Sequence, residues 1–126
     1  MNRKLQILIF IAVSLVFITS IHAQKVTGVY ERFSVGKGSG DLEGMRVVIF
    51  KAGPNEAYHA IVQIAGGGAD DPEPAMVDVT VKGRKVSFTV SGVKYSGTVT
   101  ATRLTLKEDG GSGETLTRKP ESSFFR

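Results

Sequence analysis

The stretch Val77-Asp78-Val79-Thr80-Val81-Lys82-Gly83-Arg84-Lys85-Val86-Ser87-Phe88-Thr89-Val90-Ser91-Gly92-Val93-Lys94-Tyr95-Ser96-Gly97-Thr98-Val99 decides the fold. Apolar and polar residues alternate along it, which is the period of a half-buried strand. The alternation is interrupted at Lys82-Gly83 and Ser91-Gly92, each the length of a two-residue hairpin turn with Gly supplying positive φ. Two such turns set Val81 opposite Arg84, Val79 opposite Val86 and Val77 opposite Phe88. Across the second turn Val90 faces Val93, Phe88 faces Tyr95 and Val86 faces Gly97. These rows fall on one side of a sheet. The other side collects Asp78, Thr80, Lys85, Ser87, Thr89, Lys94, Ser96 and Thr98. A one-residue slip would turn every side chain to the wrong face, so agreement between both turns and one alternation is a strong signal.

The same pattern extends outward. Strands are expected at 26–33, 43–51, 57–65, 76–81, 84–90, 93–99, 103–107 and 114–118, separated by Gly-rich turns, and no helical period follows Gln24. A short connection after Thr100 places Val99 near Leu104 and Gly97 near Leu106. The Gly-rich turn from Glu108 to Gly113 brings Leu116 back towards Leu106. Tyr58, Ala60, Val62 and Ile64 make one apolar face. Met45, Val47 and Ile49 make another, but Val48 and Phe50 oppose them, so that strand is expected to be covered on both sides. Short sequential connections favour an antiparallel up-and-down meander. Eight such strands close most simply into a barrel, which removes the exposed edges. A β-sandwich is the alternative. An eight-stranded barrel is just wide enough to be filled by side chains or to hold one small ligand.

The chain has 126 residues, 41% of them apolar, with 15 Gly and no Cys. That is one small domain, too apolar to be disordered, with no disulfide framework and no Cys-based metal site. Residues 1–23 read as a cleaved signal peptide. Arg3 and Lys4 form its basic start, Leu5 to Ile18 its apolar run, and small Ala23 precedes the cut. The run is short for a span, which needs roughly 20 apolar residues. The division is then a leader (1–23), a barrel domain (24–119) and a C-terminal tail (120–126), whose Phe124 and Phe125 can plug an end or cover a face. Such a chain is periplasmic or extracellular, with no membrane span in its mature part. Losing Arg3 and Lys4 lowers the net charge of +4 by two. No basic run exceeds Arg84-Lys85 or Arg118-Lys119, so nucleic acid is not implied.

The mature chain opens with Gly28-Val29-Tyr30, runs through Gly-punctuated hairpins and closes with Glu114 to Arg118. In this it resembles the small secreted lipocalin-like, or calycin-type, barrels. It lacks the Trp of the lipocalin opening motif and is short for a true lipocalin. The resemblance implies the barrel and a ligand-binding mouth. Gly40-Asp41-Leu42-Glu43-Gly44, the strand from Tyr58 to Gln63 and the 66–74 loop are similar to uncharacterised small exported bacterial proteins, which brings no activity with it.

The chemical inventory is thin. His59 is the single histidine after the leader, and a His general base or triad must use it; it falls on the polar side of its strand, opposite Tyr58. One His and no Cys exclude an ordinary intrachain zinc site. Asp70, Asp71 and Glu73 share a Gly/Pro-shaped loop whose spacing matches no calcium loop; a partner protein suits them as well as an ion. Gly36-Lys37-Gly38-Ser39-Gly40 lacks the spacing and the following helix of a phosphate loop, and reads as a flexible connection. Asp41 and Glu43 would share a strand face, but no Trp is present to line a sugar cleft. Tyr30, Tyr58 and Tyr95 are the candidate ligand contacts. The expectation is an exported, non-enzymatic, cofactor-free monomer holding a small apolar or amphipathic ligand at the barrel mouth. The alternative is an envelope protein-interaction or inhibitor-like module acting through loops 34–42 and 66–75.

Overall fold

The structure is a computed structural model and describes residues 25–68 and 73–120. The expected leader, Asp70, Asp71, Phe124 and Phe125 lie outside the described residues. Among the described residues every regular element is a strand: β1 (Gly28–Val35), β2 (Leu42–Ala52), β3 (Ala57–Gly66), β4 (Ala75–Asp78), β5 (Thr80–Lys82), β6 (Lys85–Val90), β7 (Val93–Val99), β8 (Arg103–Glu108) and β9 (Gly113–Arg118). All ladders are antiparallel and join one sheet in the order β4-β3-β2-β1-β9-β8-β7-β6-β5. The first and last strands meet, with Tyr30 opposite Arg118 and Glu31 opposite Thr117. The sheet is therefore an up-and-down barrel, nearly closed.

The opening lies in mid-chain. The expected single strand 76–81 is two elements, because the chain bends at Val79. Ala75–Asp78 pairs with β3, and Thr80–Lys82 pairs with β6. One bent strand thus closes the barrel from both sides. Val79 is the pivot: its N–H still donates to the Tyr58 carbonyl at 3.0 Å, and its side chain is buried. Bends of this kind let a sheet turn a corner that a regular ladder cannot.

The second hairpin and the β7–β8 pairing have the expected register, with Phe88 opposite Tyr95 and Val99 opposite Leu104. The first hairpin differs by two residues: Val81 faces Val86, Lys82 faces Lys85, and the turn is Gly83-Arg84. Gly83 has φ +61°, and a type II′ turn takes its Gly at the first central position, which shifts the turn by one residue. Leu116 likewise faces Leu104 and not Leu106, because Gly113 joins the ladder opposite Lys107 and shortens the turn. Both corrections are even shifts, so every residue keeps its face.

The inward positions form the core. Tyr30, Val47, Ile49, Val62, Val99, Leu104, Leu106 and Leu116 are fully buried. Each large apolar side chain so buried contributes about 1.5–3 kcal/mol relative to exposure. Gly97 points inward as well, and a Cβ there would stand 2.1 Å from the Thr105 carbonyl oxygen. Its missing side chain lets β7 and β8 approach and leaves room for Leu106.

Outside, the barrel has two characters. From β5 to β9 the outward positions are Ser, Thr, Lys and Arg, with Gly113 at the start of β9. Over β1 to β4 they include Val48 and Phe50, both half-buried, with Ile61 and Met76 exposed beside them. Arg46 there donates to Glu31 at 2.8 Å and to Gln63 at 3.3 Å, and Lys119 pairs with Glu31 at 3.0 Å. Burial pushes the Glu31 carboxyl up, but hydrogen bonds from Lys119 and Arg46 outweigh it and hold the pKa below the ordinary value.

Candidate binding end of the barrel

β1 runs from one end of the barrel at Gly28 to the other at Val35, and the remaining strands alternate with it. The N-terminal segment, the 53–56 turn, the Gly83-Arg84 turn and the 100–102 connection gather at the first end. The 36–41 loop, residues 67–68, and the turns at 91–92 and 109–112 gather at the second. We call these the closed end and the loop end.

Arg118 shuts the closed end. Its guanidinium stacks over the Tyr30 ring, 4.7 Å from the centroid. Its nitrogens donate to the carbonyls of Thr27 at 2.9 Å, Lys25 at 2.7 Å and Thr100 at 3.4 Å. This ties residues 25–27 across the barrel, and Val26 enters the core. The Tyr30 hydroxyl donates to the Val26 carbonyl at 2.6 Å. Burial raises the Tyr30 pKa, against the opposing pull of Arg118, so the ring stays neutral and the bond is kept. Gly28 makes the stacking possible, since a Cβ there would lie 2.7 Å from an Arg118 nitrogen. The Gly28-x-Tyr30 pattern thereby acquires a physical role: clearance for an arginine, then the ring it covers.

The loop end is built differently. Met45, Phe88 and Val90 form a buried apolar floor. Above it stand Tyr95, Glu108 and Glu114, all partly buried inward positions of β7, β8 and β9, with Ile64 at the rim 41% exposed. Tyr95 stacks on Phe88 with centroids 5.6 Å apart, and lies directly opposite Glu108. Burial raises the Tyr95 pKa, and the nearby carboxylates of Glu108 and Glu114 raise it further. Arg32, largely exposed, reaches Glu114 at 3.7 Å. The mouth thus combines apolar side chains with a tyrosine hydroxyl and two carboxylates against one arginine.

Leu42, which follows the 36–41 loop, and Gly67, which follows β3, meet at this rim. The Gly67 N–H donates to the Leu42 carbonyl at 3.1 Å, joining the two loop roots. The 36–41 loop, with its five-residue Gly/Ser run, carries backbone hydrogen bonds of its own. Gly36 donates to the Asp41 carbonyl at 2.8 Å and Gly40 donates to the Gly36 carbonyl at 3.2 Å, so it closes on itself.

The three tyrosines do not meet. Tyr30 is fully buried, Tyr58 sits at the closed end beside Lys51, and Tyr95 alone is at the loop end. Asp41 lies in the loop before β2 begins, so it shares no strand face with Glu43. His59 points outward as expected, but it is paired: its Nδ1 lies 2.9 Å from Asp78 Oδ1, and its ring lies 5.9 Å from that of Phe50. Glu73 is exposed. No group of three or more metal-ligating side chains forms among the described residues, and no described helix is long and apolar enough to cross a membrane.

Glu108, Glu114 and Arg32 are mouth residues that sequence reading did not single out. Glu108 was accessible, since it continues the inward series Leu104, Leu106 by one more alternation. Glu114 was equally accessible, since it precedes the inward Leu116 by one alternation. Comparison with known proteins adds no identification: no family model matches the chain, and neither does a curated protein or a solved structure.

Proposed function

We propose that this chain is an exported, non-catalytic binding protein of lipocalin-like build, and that it holds a small amphipathic ligand at the loop end. The observation that supports this most is the pairing of an apolar floor with Glu108 and Glu114 in one mouth. Among the described residues fifteen buried apolar side chains pack the interior, so the ligand sits at the rim and not deep inside. Its apolar part rests on Ile64 and Tyr95. Its head group is a cation, which the two carboxylates and the tyrosine hydroxyl receive by charge-assisted hydrogen bonds. Arg32 holds Glu114 in place when the mouth is empty.

Two alkyl probes of equal length and opposite charge test the reading. Dodecylamine should raise the thermal midpoint, by an amount that grows with the logarithm of its concentration above Kd, and dodecanoate should not. Glu108→Gln/Glu114→Gln should abolish the preference while leaving the unliganded midpoint nearly unchanged. Equal shifts with both probes would sink the charge assignment, and no shift with either would sink the carrier reading.

The joined roots of the 36–41 and 67–74 loops favour the second reading, an envelope protein-interaction module. Deleting residues 68–73 would then abolish partner capture and leave alkylamine binding intact.

A further inference from the structure

The outward face from β5 to β9 carries chemistry that the mouth does not use. Its strand positions include Lys82, Lys85, Lys94, Arg103 and Lys107, and not one of them is Asp or Glu. Among the described residues none of the four lysines forms an ion pair. Lys82 and Lys85 lie directly opposite one another in the β5–β6 ladder. Like charges so placed destabilise a sheet. A surface selected for stability alone would set an acid against one of them, as Glu31 is set against Arg46 and Lys119 on the other half of the barrel.

Between these lysines runs a row of short hydroxyl side chains. Thr80 faces Ser87, Ser87 faces Ser96, and Ser96 faces Lys107. The small residues leave a groove of about 460 Å3, with Lys82 and Lys85 on one wall and Lys107 on the other. Acidic side chains appear only beyond its ends: Asp78, held by His59, at the seam, and Glu108 and Asp109 at the far turn. No outward strand position of β5 to β9 is aromatic or a large aliphatic. The face therefore offers nothing on which a base could stack and nothing to insert among acyl chains.

We propose that this groove binds an acidic polysaccharide. The sugar hydroxyls bond the Thr80–Ser87–Ser96 row, and the carboxylate or sulfate groups lie against Lys82, Lys85 and Lys107. The unopposed lysine pair is then a cost to the fold that the ligand relieves.

Dextran sulfate and neutral dextran, titrated into the full chain at about 150 mM salt, form the test, with phosphatidylglycerol vesicles and duplex DNA alongside. Dextran sulfate should bind and neutral dextran should not, and vesicles and DNA should bind about tenfold more weakly or less. Lys85→Gln/Lys107→Gln should weaken dextran sulfate about tenfold, whereas Lys37→Gln/Lys51→Gln, with the same net charge, should change it less than about twofold. Ser87→Ala/Ser96→Ala should weaken it several-fold with no charge removed. Lys82→Thr should raise the thermal midpoint while lowering affinity. Equal losses in the two lysine variants would overturn the proposal, as would stronger binding to vesicles or DNA, or no binding of dextran sulfate.

Discussion

The two ends of this barrel solve opposite problems with similar residues. Each has a tyrosine and an arginine. At the closed end Arg118 covers Tyr30, spends its hydrogen bonds on three backbone carbonyls and holds residues 25–27 across the opening. At the loop end Arg32 is largely exposed and reaches one carboxylate at 3.7 Å, and Tyr95 stacks below on Phe88 beside two glutamates. The difference shows what burial does to shared chemistry. A guanidinium bonded to three backbone carbonyls and stacked on a buried ring is a structural clasp. A carboxylate pair over an apolar floor, half-solvated and uncovered, is free to receive something else.

The comparison can be broken by substituting like for like. Arg118→Met should cost about 3–5 kcal/mol, because it removes charge-assisted hydrogen bonds to three carbonyls and the stack on Tyr30, whereas Arg32→Met should cost less than about 1 kcal/mol. Urea unfolding of the two variants measures both. Next in size, Leu116→Ala in the filled section should cost about 2–5 kcal/mol, and Ile64→Ala at the open rim a fraction of that. Tyr30→Phe removes the bond to Val26 and should cost about 1–3 kcal/mol, while Tyr95→Phe should leave stability unchanged and weaken alkylamine binding.

The smallest effect concerns pH. The Glu31 pKa lies below its ordinary value of 4.5 in the fold, so its contribution is present above that value and fades as pH falls through the folded pKa. Thermal midpoints of wild type and Glu31→Gln should therefore differ at neutral pH and converge on acidification. Convergence at high pH instead would reverse the assigned sign.

Much of the fold was legible because strand alternation survives small errors. The Ser91-Gly92 turn set its hairpin correctly, and the first hairpin and the β8–β9 pairing were misaligned only by two, which moves no residue between faces. The bend at Val79 was not legible. Nothing in Val77-Asp78-Val79-Thr80 marks a corner; the bend arises because one strand must pair with β3 on one half and β6 on the other. Nor was the junction of first and last strands, with its clasp, since Arg118 and Tyr30 are far apart in sequence and neither is unusual where it stands. At the candidate site the tyrosines were the right residue type, but barrel ends are set by register and strand direction together, and these separated Tyr95 from Tyr30 and Tyr58.

The central claim is that recognition belongs to the loop end and stability to the closed end. Native mass spectrometry of the chain expressed with its own N-terminal segment tests it most directly, run beside the Tyr95→Ala/Glu108→Gln and Tyr30→Phe variants. A small-molecule adduct retained by wild type and Tyr30→Phe, and lost from the loop-end variant, is the predicted result. An adduct that survives the loop-end substitutions, or that disappears with Tyr30→Phe, would contradict it.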